Sequence, residues 1–211
     1  MTYLPIYLEL KGRHCLIVGG GDVAARRAAS LVTHEADVEV VAPEIAPSLA
    51  ELVRQGKVRW NPSAYESGFM DGVTLAVAAT NVTDVNDRVA EDARANNALI
   101  CRADRAGDGD FIFPGVIERG DLSIAVATMG GSPTLTSVLV ERLGDEYGPE
   151  WSKIVELCKT IRIDIKSNGQ TADSRKAGIR RILADKEIRT LLNDGKILEA
   201  EARAKECLSL F

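Results

Sequence analysis

The stretch "HCLIVGGGDVAARRAASLV", residues 14 to 32, constrains the fold more than any other part of this chain. Three consecutive glycines stand between a short apolar run and an alanine-rich helical pattern. A strand that turns at once into a helix needs residues that tolerate unusual backbone angles and close approach, and glycine supplies both. Gly19, Gly21 and Ala24 match the spacing G-x-G-x-x-G/A. In such a turn the first glycine permits the bend, the second lets the backbone approach a pyrophosphate, and the small third residue lets helix pack on strand. The phosphates would meet free N–H groups at the helix N-terminus, favoured by the helix dipole.

Apolar runs at 14–18, 37–42, 73–78 and 98–101 read as buried strands, with a weaker one at 57–60. Helical patterning fills 22–34, 45–55 and 84–97. Strands separated by helices of this length predict an α/β fold, a Rossmann-like doubly wound parallel sheet with right-handed crossovers. After residue 112 the pattern changes. A strand-like stretch at 121–128 leads through "GGSP" to an apolar-periodic helix near 134–146, with Ser132 as N-cap and Pro133 at the first helical position. One strand and one helix cannot cover their own apolar faces, so a second copy of the segment is the economical partner. From about 150 the chain reads as helix, with breaks at Asn168 and Gly169 and again at Asn193, Asp194 and Gly195.

The formal net charge is −5 and charged residues make up 27% of the chain, which speaks against a nucleic-acid or membrane-surface partner. No apolar run has the length of a membrane span, and the start "MTYLPIYLELKGR" has no leader pattern, so the chain reads as cytoplasmic. The four cysteines, Cys15, Cys101, Cys158 and Cys207, lack paired spacing, and Cys15 and Cys101 read as core thiols. With only His14 and His34 as histidines, no permanent metal site is expected and acid/base work falls on carboxylates.

The acidic residue that would bind an adenosine ribose belongs at the end of the second strand, where Val41, Ala42 and Pro43 stand, with Glu44 just beyond. No arginine stands there for a 2′-phosphate, which favours NAD over NADP. Ala79 and Thr80, after the fourth strand, offer a small surface for a cofactor to cross, although tight packing explains the alanines equally well. Asp104 follows the fifth strand, at the edge where open α/β sheets hold their sites. Asp108 and Asp110 follow it, and a solvated acidic loop is the competing reading. Gly130, Gly131 and Ser132 precede a helix and expose N–H groups suited to an anion, while Arg102, Arg105 and Arg119 are able to pair with carboxylates. Helix capping and surface solvation explain the same residues. Together the pieces describe a dehydrogenase of a polyanionic small molecule.

The segments "YLPIYLELKGRHCLIVGGGDVAARRAASL", "AVAATNVTDVN", "FIFPGVIERGDLSIAVAT" and "GGSPTLTSVLVERL" resemble the dehydrogenase and ferrochelatase portion of siroheme synthases, the precorrin-2 dehydrogenase family. The resemblance runs through about residue 146 and more loosely beyond. It implies oxidation of precorrin-2 to sirohydrochlorin with NAD, and in some members insertion of ferrous iron. It also implies an NAD-binding Rossmann domain over 1–113, a dimerisation segment over 114–148 and a helical domain over 149–211, in a homodimer. The substrate's many carboxylates would account for the anion features at Arg102, Arg105 and Gly130 to Ser132. The family's catalytic aspartate precedes its F-x-x-P motif, here Phe111 to Pro114, and lands on Asp104. Family contacts to NAD fall on Asp22 and Val23 and on Pro43 and Glu44. Where many members read Asn-x-x-Asp-x-Pro, this chain has Cys101, Arg102, Ala103, Asp104, Arg105 and Ala106. The residues alone leave open a dehydrogenase of another small anionic substrate, or an NAD-binding regulatory module without chemistry.

Overall fold

The computed structural model describes residues 3–105, 107–167 and 172–209. Its first half alternates strand and helix: β1 (His14–Val18), α1 (Asp22–Thr33), β2 (Asp37–Val41), α2 (Pro47–Arg54), β3 (Val58–Asn61), β4 (Leu75–Ala78), α3 (Thr83–Ala95) and β5 (Leu99–Arg102). The strands form one five-stranded sheet in the order β3-β2-β1-β4-β5, and all four neighbouring pairs are parallel. The chain order reverses at β1, so the carboxyl ends of β1 and β4 flank the switch point at which such sheets hold ligands. The fold is Rossmann-like, as the alternation of apolar runs and helical patterns predicts.

Successive side chains of a strand face opposite sides. Cys15 and Ile17 therefore join Val38, Val40, Leu75 and Val77 on one face, where Ala24, Ala25, Ala28 and Leu31 of α1 and Leu49 of α2 cover them. Leu16 and Val18 join Val41, Ala76, Ala78 and Ile100 on the other, beneath Val89, Ala90 and Ala93 of α3. Both faces are buried, which is why β4 and, after His14, β1 are unbroken apolar runs. The alanines let the helices lie close to the sheet. Each large aliphatic side chain buried here contributes about 1.5–3 kcal/mol. Cys15 and Cys101 are buried core thiols, and burial pushes the Cys15 thiol up to about 11, with a smaller push from Asp37.

Beyond Phe113 the strand-like stretch has a partner in its own chain. β6 (Gly115–Arg119) pairs antiparallel with β7 (Leu122–Val126) through Gly120 and Asp121. Gly120 has a φ of 59°, the positive angle a two-residue hairpin loop demands. Sequence reading misses β6 because "GVIER" has a single buried apolar position, Ile117. α4 (Pro133–Glu146) starts as expected: the Ser132 hydroxyl accepts from the Leu135 N–H at 3.1 Å and Pro133 opens the helix. At its other end Arg119 donates to the carbonyls of Tyr147 and Gly144, which the terminating helix leaves without backbone partners.

α5 (Glu150–Ser167), α6 (Ala172–Ala184), α7 (Lys186–Asn193) and α8 (Ile197–Ser209) follow. Ile154, Leu157 and Ile161 pack with Ile182, Ile188, Leu192, Ala200 and Ala204. Asp185 caps α7 by accepting from the N–H groups of Glu187 and Ile188, and it also holds Arg203 of α8 at 3.0 Å. α7 ends at the expected Asn193 to Gly195 break, whereas Asn168 and Gly169 lie outside the described residues. The chain divides into two compact units, Met1–Phe113 with Met129–Gly131, and Pro114–Thr128 with Ser132–Phe211. Among the described residues no helix is long and apolar enough to cross a membrane.

Leu16 is fully buried in the sheet. Leu16→Ala is expected to lower unfolding free energy by roughly 2–5 kcal/mol through lost contacts and a residual cavity, read by urea denaturation.

Candidate functional site

The glycine turn is a place of close backbone approach. Gly19 has a φ of 125°, and a Cβ there would collide with the Ala79 carbonyl at the end of β4. A Cβ on Gly20 would collide with the Glu44 carbonyl in the loop after β2. The Ala46 N–H donates to the Gly20 carbonyl at 2.7 Å, and the Gly19 N–H to that of Val41 at 3.0 Å. Trp60 pins the loop from outside, its Nε1–H donating to the Ala42 carbonyl at 2.9 Å. Three strand ends are thereby drawn together.

Gly21 differs from its neighbours, because nothing lies within 4 Å of where its Cβ would stand. It is the N-cap of α1 and offers no side-chain acceptor, so the amides of the first turn, where Asp22 stands exposed, have no side-chain cap. Free amides, open space and a helix dipole fit a pyrophosphate. Pro43 and Glu44 are exposed beside this turn, and Val23, Ala79 and Thr80 are half-buried.

Sequence reasoning overlooks Asn86. It is fully buried in α3, and its side chain accepts from the Thr80 N–H and hydroxyl at 3.2 and 2.8 Å while donating to the Thr80 carbonyl at 3.0 Å. An asparagine in the first turns of a helix ordinarily faces solvent, so only the tertiary fold reveals this clamp.

Asp104 lies just past β5, whose ladder continues through the Ala103 N–H to the Ala78 carbonyl at 2.9 Å. Its carboxylate accepts two N–H groups of Arg102 at 3.1 and 2.8 Å. That bonding holds Asp104 below the usual carboxylate range; partial burial opposes it, and a bond from Asn86 reinforces it. Arg102, expected at the substrate, has a side chain only 2% exposed. Arg105 is exposed and donates to Asp87 at 3.1 Å. The acidic loop is structured: Asp108 pairs with Arg94 and Arg102, each at 3.0 Å. Asp110 accepts the Ile100 N–H at 3.0 Å and returns its own N–H to the Ile100 carbonyl at 2.7 Å.

Gly130 and Gly131 form an exposed turn before α4, with Gly130 at a φ of 81°. Ser132 is spent on helix capping, and its N–H donates to the Thr128 hydroxyl at 3.2 Å. Arg119, considered as a carboxylate partner, is spent on the end of α4.

Residues 6–115, more than half of the chain, match the NAD(P)-binding family model NAD_binding_7. The chain belongs to this NAD(P)-binding family. It is also similar to siroheme synthases, at 35% identity to that of Chromobacterium violaceum over 97% of this chain and 43% of the relative. Similarity to siroheme synthase 1 of Klebsiella pneumoniae is 30% over 95% of this chain and 42% of the relative. The chain thus spans less than half the length of these curated relatives. A solved structure described as SirC, precorrin-2 dehydrogenase, aligns with a TM-score of 0.75 and 28% identity, covering 95% of this chain and 100% of the other. The resemblance read from the motifs is the one these comparisons return.

Gly19→Val combines a disfavoured φ with a backbone collision. It is expected to weaken NAD binding at least about tenfold, equivalent to ~1.4 kcal/mol, measured by calorimetric titration.

Proposed function

We propose that the protein oxidises precorrin-2 to sirohydrochlorin with NAD. The observation that carries this reading is the alignment with a precorrin-2 dehydrogenase over that protein's whole length, since the siroheme synthases extend well beyond this chain. The site chemistry supports it. Oxidation of the macrocycle removes two hydrogens, one as hydride and one as a proton. NAD bound at the glycine turn supplies a hydride acceptor. Gly21, Asp22 and Val23 hold its pyrophosphate through backbone amides, on a turn that Gly19 makes possible while its own N–H is spent on the Val41 carbonyl. Pro43 and Glu44 line the adenosine end, and Ala79 and Thr80, fixed by Asn86, line its course across the strand ends. Asp104 accepts the proton, and it is ionised near neutral pH because Arg102 favours its charged form. Arg105 and the turn at Gly130 and Gly131 are the proposed partners of substrate carboxylates, Ser132 being spent on the cap of α4.

Ferrous iron is a further proposed substrate, with Asp104 taking the two displaced pyrrole protons one at a time and passing each to solvent. A homodimer built on 114–148 is proposed as well. α4 buries none of its residues, and Val116, Leu135 and Val138 are 42%, 49% and 39% exposed, an apolar surface that a second copy would cover.

An anaerobic absorbance assay with freshly generated precorrin-2 and NAD tests the reading. The sirohydrochlorin spectrum is expected to develop with wild-type protein, and Asp104→Ala is expected to slow it by roughly 10²–10⁴-fold, as loss of a general base does. Binding of NAD without any spectral change would overturn the assignment. Val138→Glu is expected to shift light-scattering mass from dimer to monomer.

A further inference from the structure

Arg102 is the last residue of β5, and its side chain is buried to within 2% of complete. A buried guanidinium is costly to desolvate unless its donors find acceptors of opposite charge. Here they find three carboxylates. Nε and Nη2 grip the two oxygens of Asp104 as a fork, at 3.1 and 2.8 Å. Nη1 donates to Asp87 on α3 and, at 3.0 Å, to Asp108. Those two are themselves held, Asp87 by Arg105 at 3.1 Å and Asp108 by Arg94 of α3 at 3.0 Å. A side chain so enclosed has no surface with which to touch a substrate.

We propose that Arg102 is a positioning residue for Asp104, fixing both carboxylate oxygens at the end of β5 and bracing them through Asp87 against α3. The proposal rests on the reading of Asp104 as proton acceptor. Arg102 closes β5 and the chain bends over the residues that follow, and across that bend the two side chains meet. A planar fork fixes the orientation of a carboxylate, whereas an ammonium supplies only a point charge. The charged groups facing this point are the guanidinium groups of Arg102 and Arg105 and the carboxylates of Asp87 and Asp108, with the Asn86 amide beside them. Removal of the Arg102 cation leaves the carboxylates facing one another, and Asp104 then holds its proton more tightly.

The test follows NAD-dependent precorrin-2 oxidation from about pH 4 upward in wild type, Arg102→Lys, Arg102→Gln, Asp87→Asn and Asp104→Asn. In parallel, the aspartate carboxyl groups are titrated by ¹³C NMR, with Asp104→Asn assigning the resonance. Arg102→Lys keeps the charge and loses the fork, and is expected to lower kcat about tenfold with KM held within about twofold. In Arg102→Gln the acid limb of kcat/KM and the Asp104 resonance both move up by about one pH unit. Should Arg102→Gln fail to fold, Asp87→Asn still removes the brace alone and is expected to lower kcat about threefold. Inactive Asp104→Asn together with wild-type kcat and acid limb in Arg102→Lys and Asp87→Asn overturns the positioning role. Active Asp104→Asn overturns instead the proton-acceptor reading on which the proposal stands.

Discussion

The structure of the first unit depends on one backbone contact, the approach of Gly19 to the Ala79 carbonyl. β1 and β4 are neighbours throughout the sheet, and past Val18 the Ala79 N–H continues their ladder at 2.8 Å. Only a residue without Cβ and with access to positive φ can leave β1 at that point and still start α1 on the correct side. Gly20 meets the loop after β2 in the same way. Gly19 and Gly20 therefore shape the protein, while Gly21 faces open space at the start of α1. The three glycines look equivalent in sequence and divide their work in three dimensions.

How much of this is legible in sequence depends on whether the determinant is local. The four strong apolar runs read correctly because both sheet faces are largely covered, and of the four β2 alone, with half-buried Asp37 and Glu39, alternates. The N-cap at Ser132 is a local hydrogen bond and was equally legible. β6 was not, because it needs only Ile117 in the core and gains its stability from a partner seven residues later, across a turn marked by Gly120 alone. α7 is cut from α6 by Asp185, an aspartate that also reads as an ordinary helical surface residue.

The site divides along the same line. The glycine turn and the position of Asp104 after β5 are sequence patterns. The role of Arg102 is not, since an arginine beside an aspartate reads equally as substrate contact, surface charge or internal brace. Burial decides among them, and burial at β5 depends on α3 and on the loop at Asp108. Asn86 poses the same difficulty: its three hydrogen bonds with Thr80, six residues earlier, form across a turn.

The pairing of Asp110 with Ile100 has a consequence for the sheet as a whole. β5 is the outermost strand on its side, and such strands present unpaired amides and carbonyls to which another chain can add. Leu99 and Ala103 direct their N–H groups inward, to Thr74 and Ala78, so Ile100 faces outward between them. Asp110 occupies both of its backbone groups, and Gly109 lies so close that a side chain there would crowd the Ile100 carbonyl at 2.7 Å. The acidic loop thus serves as a charged guard against strand addition and aggregation. The segment that presents Asp104 is anchored by the same bonds that keep the sheet from growing.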